Sequence, residues 1–348
     1  MTLIQLRYLV AIVDAGLNIS LAAQHTHSTQ PGLSKQLGQI EEELGFKVFV
    51  RRGKRLEALT EPGREVITRA KVILAETANI SALAASRRQD AKGALRIATT
   101  ATQARFVLPG PLAAMRTKYP DVALHIAAVG EREALEQIEQ DLGDVAIVSA
   151  AAAPRTSHLV LPLYRWELVG LALPQHPLAG RSGLTLRDLA TATLMTYDSA
   201  LAADSAYARA FAQQGLTATP LAATARDSEI IKSLVRSGAG VGLLAEMTWT
   251  TDDRDLVRLA VGHLFEAYTT WAVLPRDRIL RRPVLDFITA IAPHLDRTAL
   301  RSAFDATFES AWPEAPQWRD RQVNSTPAAE PRVAKSSGRP ALRLVAQA

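Results

Sequence analysis

The sequence predicts a chain in two parts. A small all-helical head carries a two-stranded wing, and after a long helix comes a larger α/β domain. Three observations predict this. Apolar residues recur at helical spacing in three short segments within roughly the first 45 residues. The stretch from Phe46 to Leu59 alternates apolar and basic residues around Gly53. From Leu95 onward short apolar runs alternate with helical patterns, the alternation of a parallel α/β sheet.

In residues 3–15, Leu6, Leu9, Val10 and Val13 mark one helix face. Asn18 is placed to cap a second helix, Ile19 to His25, carrying Leu21, Ala22 and Ala23. The third segment reads HSTQPGLSKQLGQIEEELG, and its Leu33, Leu37, Ile40 and Leu44 share a stripe. Pro31 falls in the first turn, where its missing N–H has no helical partner to lose and its fixed φ suits the helix. Gly32 keeps that turn slim, and Gly45 is the expected stop. The wing follows over 46–59. Thr60 precedes a long helix in which Val66/Ile67, Ala70, Ile73/Leu74, Thr77, Ile80 and Ala84 recur about every 3.5 residues. Such a seam predicts pairing with a second copy.

Residues 87–94, RRQDAKGA, read as a polar hinge. Strands are expected at Leu95–Thr99, Ala123–Ala128, Val145–Ser149, Leu168–Leu173, Leu194–Tyr197, Val241–Ala245 and Thr270–Leu274, with helices such as Leu108–Lys118 and Glu229–Ser237 between them. Residues 313–348 are rich in Pro, Ala, Ser and Arg and read as a disordered basic tail. The expected division is therefore a head at 1–59, a linker helix and hinge at 60–92, an α/β domain at 93–312 and the tail.

At 48% hydrophobic the chain can bury substantial cores, and its +5 formal charge permits a polyanionic partner without requiring one. With no cysteine, disulfides, thiolate zinc sites, iron–sulfur clusters and cysteine nucleophiles are excluded. The apolar run Tyr8 to Val13 is too short for a secretion signal, and no run approaches the roughly 18 apolar residues of a membrane span. The expectation is a cytoplasmic protein without membrane contact. Catalytic signals are missing as well. There is no G-x-S-x-G elbow and no Walker loop, and none of His25, His27, His125, His158, His176, His263 and His294 forms a metal-spaced pair. No enzyme, metal or cofactor is expected.

Four motifs carry the functional reading. On the third helix, Thr29, Gln30, Ser34, Lys35 and Gln39 face outward near the N-terminal end, the end a recognition helix presents to the major groove. The alternative is an ordinary solvated face. In FKVFVRRGKR, Arg51, Arg52, Lys54 and Arg55 would lie along a phosphate backbone, unless the hairpin is simply solvated; Phe46 and Phe49 are expected in the wing's core. In ATTATQARFVLPG, hydroxyls gather where a strand ends and a helix begins, as in an anion site, although Thr100 or Thr102 could simply cap the helix. In SGAGVGLLAE the helix precedes the glycines and the strand follows them. That order indicates a tight helix-to-strand turn, not a dinucleotide loop.

Residues 1–300 resemble the LysR-type transcriptional regulators. The carriers are LRYLVAIVDAGLNISLAAQ, TQPGLSKQLGQIEEELGFKVFVRRGKR, LTEPG and SGAGVGLLAE. Within that family, TTATQARFVLPG, LPLYRW and IIKSLVRSGAGVGLLAEM resemble the branch that controls sulfur assimilation and cysteine synthesis. The resemblance implies a winged helix-turn-helix, a dimerising linker helix and a two-lobed effector domain like that of periplasmic binding proteins. Lobe I would span about 93–163 and 269–300, lobe II about 164–268. It implies double-stranded promoter DNA as a partner, met by Thr29, Gln30, Ser34 and Lys35 with Arg51, Arg52 and Lys54 helping. It also implies self-association to a homodimer or homotetramer, and a small anionic or zwitterionic effector of the acetylserine, sulfate or thiosulfate type. The effector residues carried over are Thr100, Thr102, Gln103, Ser149 and Trp166.

The chain departs from the family pattern at YDSALAADS. Ala202 stands where a threonine is usual, Asp198 adds a negative charge, and Arg226 replaces a threonine. Ser149 also replaces a threonine but keeps the hydroxyl. A pocket that loses one donor and gains an Arg–Asp pair is expected to prefer a zwitterion, such as an acylated serine, to plain sulfate. Two rival functions are a solute receptor without DNA binding and an enzyme on the α/β domain. Only a DNA binder loses duplex affinity steeply with salt.

Overall fold

The computed structural model describes residues 1–53, 55–87, 93–203, 205–216, 221–276, 278–303 and 312–323. Lys54, most of the expected hinge (88–92) and the tail from 324 lie outside the described residues.

The head comprises α1 (Leu3–Asp14), α2 (Ile19–His25), α3 (Gln30–Leu44) and the hairpin β1 (Phe49–Arg52) with β2 (Arg55–Leu59). Asn18 caps α2 by accepting the Leu21 N–H at 3.1 Å. Pro31 sits in the first turn of α3, and Gly45 ends the helix at φ +75°. Leu9, Ile12, Ala22, Leu33, Leu37, Ile40, Val48 and Phe49 form one core. Phe46 departs from expectation: it precedes β1 and is 36% exposed, so of the two phenylalanines Phe49 is the one in the wing's core.

The 27-residue α4 (Glu61–Arg87) lays Ile67 and Ala70 inward while Val72, Ile73 and Ile80 face solvent. Gly63 is required at its start, because a Cβ there would meet the Val48 carbonyl oxygen at 2.1 Å.

Beyond α4 run β3 (Gly93–Thr99), α5 (Ala101–Phe106), α6 (Pro109–Lys118), β4 (Val122–Ala128), α7 (Glu131–Glu139), β5 (Val145–Ala150), β6 (Leu159–Trp166), β7 (Leu168–Ala172) and α8 (Leu186–Ala190). Then come β8 (Leu194–Tyr197), α9 (Ala206–Gln213), β9 (Ala223–Ala225), α10 (Ser228–Arg236), β10 (Val241–Ala245), β11 (Val257–Leu259), β12 (Tyr268–Leu274), α11 (Arg282–Ile291), α12 (Arg297–Ser302) and α13 (Trp318–Val323). Two five-stranded sheets result, ordered β4-β3-β5-β12-β6 and β11-β7-β10-β8-β9. The chain leaves the first sheet after β6 and returns to it at β12.

Both sheets are mixed, correcting the expectation of parallel sheets. β12 runs antiparallel to β5 and β6, and β7 runs antiparallel to β10 and β11. β6 and β12 carry the chain out and back, so they must oppose each other. The sequence also hid β6, because Pro162 interrupts its pattern. Pro cannot donate to a ladder and is tolerated here since β6 is an edge strand, with a register shift opposite at Thr270/Trp271.

The expected disorder from residue 313 is likewise corrected over 313–323. Arg165 N–H donates to the Pro316 carbonyl at 2.9 Å, and Arg165 and Gln317 form a bridge on the free edge of β6. Trp318 lies against Tyr164 with ring centroids 5.1 Å apart, and the Arg321 guanidinium sits 4.6 Å over the same Tyr164 ring. Two aromatic rings and a sheet edge supply what composition did not reveal.

Candidate functional site

The α3 face is built by capping. Thr29 accepts the Gly32 N–H at 3.2 Å, and a Cβ on Gly32 would meet that hydroxyl at 3.0 Å. Glycine therefore makes room for the cap. Thr29, Gln30, Lys35 and Gln39 are exposed and Ser34 is half-buried. Arg51 and Arg52 are exposed on β1.

Sequence reasoning missed Glu41. Its buried carboxylate accepts the backbone N–H groups of Val48 at 3.1 Å and Phe49 at 3.4 Å, and it pairs with Lys47 at 3.0 Å and Arg51 at 3.6 Å. It thereby fixes the wing to α3. In the sequence it looked like one of three consecutive glutamates on a helix.

Between the two sheets lies a cleft of about 550 Å³, lined by Thr100, Thr102, Gln103, Ser149, Trp166, Asp198 and Arg226, all the effector residues named from the sequence. Its position follows from topology: Thr100 and Glu131 follow β3 and β4, and Asp198 and Arg226 follow β8 and β9, so the carboxyl ends of parallel strands converge.

The floor is a hydrogen-bonded network. The Gln103 amide donates to Ser149 Oγ at 3.2 Å and Thr270 Oγ1 at 3.4 Å, and the Tyr164 hydroxyl donates to Gln103 Oε1. Both amide hydrogens are thus engaged, and Gln103 sets the position of Ser149 from a fully buried site. Trp166 Nε1–H donates to Thr270 Oγ1 at 3.0 Å, and its ring stacks on Tyr268 at 4.6 Å. Thr100 caps α5 through the Gln103 N–H at 3.4 Å. With six residues, α5 adds only a small dipole to the site.

Across the cleft, the Thr102 hydroxyl donates to Tyr197 OH at 3.3 Å, joining the two sheets. Tyr197 also accepts the Ala245 N–H at 3.3 Å, and burial pushes its hydroxyl up to about 12, so it stays protonated.

The charged rim holds Glu131, Asp198, Arg209, Arg226 and Glu266. Arg226 donates to Asp198 at 2.9 Å and Arg209 to Glu266 at 2.6 Å. The Arg226–Asp198 pairing matches the expectation for these departures. Ala202 lines the cleft without contributing a hydroxyl. Glu131 at the start of α7 was not foreseen; burial holds its carboxyl above the ordinary glutamate range, with the Asp198 charge adding to the shift. Its position after a strand's carboxyl end was the available signal.

Family models match both parts of the chain. One described as "Bacterial regulatory helix-turn-helix protein, lysR family" matches residues 3–64, and one described as "LysR substrate binding domain" matches 88–296. The transcriptional regulator CysB of Haemophilus influenzae is 36% identical over 299 residues, 86% of this chain and 92% of that protein. The regulator SsuR of Burkholderia cenocepacia is 34% identical, covering 85% of this chain and 96% of that one. The crystal structure of the cofactor-binding domain of the Cbl regulator, at 33% identity and TM-score 0.56, covers 62% of this chain and 96% of that domain.

Proposed function

Since this chain belongs to the LysR family of transcriptional regulators, we propose that it controls sulfur-assimilation and cysteine-biosynthesis genes in response to a small anionic or zwitterionic metabolite held in the cleft. The observation that carries the sulfur reading is the likeness to CysB and SsuR regulators over nearly their whole lengths, head and cleft together.

In this reading α3 presents Thr29, Gln30, Ser34 and Lys35 to base edges and phosphates of promoter DNA. The wing residues Arg51, Arg52 and Lys54 follow the backbone. The exposed apolar side chains of α4, Val72, Ile73 and Ile80, pair two copies, and the effector domains join dimers into a homotetramer in the cytoplasm. The effector, of the acetylserine, sulfate or thiosulfate type, sits among Thr100, Thr102, Ser149 and Trp166, on a floor set by Gln103. It acts by favouring one spacing of the lobes over another, which moves the DNA heads only as far as its affinities for the two spacings differ. The Thr102–Tyr197 contact is the link between lobes that the ligand would make or break.

Calorimetric titration with O-acetylserine, N-acetylserine, sulfate and thiosulfate tests this. Micromolar binding of one of them, lost in Thr102→Ala, is the expected result. The changes at Asp198, Ala202 and Arg226 support a second reading, a regulator retuned to a different pathway's metabolite; silence from all four ligands would select it.

A further inference from the structure

The cleft's charges do not describe a simple anion site. Its described lining carries three carboxylates, Glu131, Asp198 and Glu266, against two guanidiniums, Arg209 and Arg226. Each arginine is engaged with an acid, Arg226 with Asp198 and Arg209 with Glu266. Glu131 forms no ion pair with a described residue, although it is half-buried and faces the same space. A sulfate entering this rim would find its cations occupied and an unpaired carboxylate beside it.

We infer that Glu131 is a specificity-determining residue, and that it selects an effector bearing a protonated amine, an amino-acid-type zwitterion. The ligand's ammonium supplies the cation that Glu131 lacks, and its carboxylate and side chain meet the hydroxyls of Thr100, Thr102 and Ser149. Every charged group of the rim then has an opposite partner, and the ligand carboxylate is met by neutral hydroxyl donors. This rests on the cleft being the effector site. The structural alternative is that Glu131 merely complements the N-terminal end of α7, which ligand selectivity distinguishes.

O-acetylserine and N-acetylserine are isomers differing in whether the amine is free or blocked. The full-length regulator is titrated with each, wild type against Glu131→Gln and Glu131→Asp. Wild type is expected to bind the free-amine isomer at least about tenfold more tightly, the scale of one hydrogen-bonded charge in a partly dry site. Glu131→Gln abolishes the preference without weakening the blocked isomer, and Glu131→Asp restores part of it. Equal or tighter binding of N-acetylserine by wild type overturns the inference.

If neither isomer binds, the sulfur reading stands or falls separately, on sulfate and thiosulfate. A thermal-shift panel of amino acids and their N-acetyl forms then decides. A free-amine ligand that loses its shift in Glu131→Gln supports the assignment. Hits confined to blocked or inorganic anions, or no free-amine hit, overturn it. A cooperative melt and retained operator binding by ligand-free Glu131→Gln confirm that the variant is folded.

Discussion

At the scale of single residues, two buried or half-buried glutamates do opposite work. Glu41 is fully satisfied, by two backbone N–H groups and two cations, and it fastens the wing. Glu41→Ala strands those donors, so the head's unfolding free energy should fall by about 2 to 4 kcal/mol, with Glu41→Gln costing less. Urea unfolding of the two variants checks this. Glu131, by contrast, is short of a partner. Burial and Asp198 raise its pKa, Arg226 opposes them, and Tyr197 and Tyr268 face it uncharged. An amine ligand needs the ionised form. Its affinity should be full above the raised pKa and fall as pH drops through it, at a higher pH than for an ordinary glutamate. Titrations at stepped pH should show this fall in wild type and a flat profile in Glu131→Gln.

At the scale of elements, α3 and the β6 edge carry the testable content. Gln30 is exposed at the front of α3, and its side-chain amide hydrogen-bonds to no described residue. Gln30→Ala should cost about 1 to 3 kcal/mol on a specific operator and almost nothing on random duplex; comparing the two by fluorescence anisotropy checks it. Residues 312–323 strap the edge of β6: Glu314 pairs with Arg165 at 2.7 Å, and Arg319 pairs with Glu167 at 2.9 Å. Trp318 packs on Tyr164, whose hydroxyl holds Gln103 on the cleft floor. Trp318→Ala should therefore destabilise the effector domain by about 2 kcal/mol and weaken effector binding together. Calorimetric melting and titration of one sample measure both. A chain ending at 323 should match wild type in each, since the strap is retained.

At the scale of the whole molecule, DNA affinity is expected to depend on the basic wing, and assembly on the solvent-facing side of α4. Operator binding should fall linearly in log affinity against log salt, and Arg52→Ala should lower that slope by about 1 if Arg52 neutralises one phosphate. Ile73→Asp with Ile80→Asp places charge on the exposed apolar side of α4. Sedimentation should then show loss of self-association, with operator affinity falling as the second head is lost.

Much of this molecule was legible in local pattern. The α3 stripe, the Asn18 cap, Pro31 and Gly45, the wing around Gly53 and seven of the strands rest on neighbours a few residues apart, and the chain records such neighbours directly; in α1 it is Ile12, not Val10 or Val13, that joins Leu6 and Leu9 in the core. So was the clustering of Thr100, Thr102, Gln103, Ser149, Trp166, Asp198 and Arg226, read through family resemblance. The rest depends on residues brought together from far along the chain. The sense of β6 and β12 follows from a chain that leaves one sheet and comes back. The tolerance of Pro162 follows from an edge position, and the order of 313–323 from rings 150 or so residues away. Glu41 and Glu131 have the same side chain and both lie on helices. One is saturated and the other left wanting because packing decides which partners come within reach, and spacing along the sequence carries no record of that.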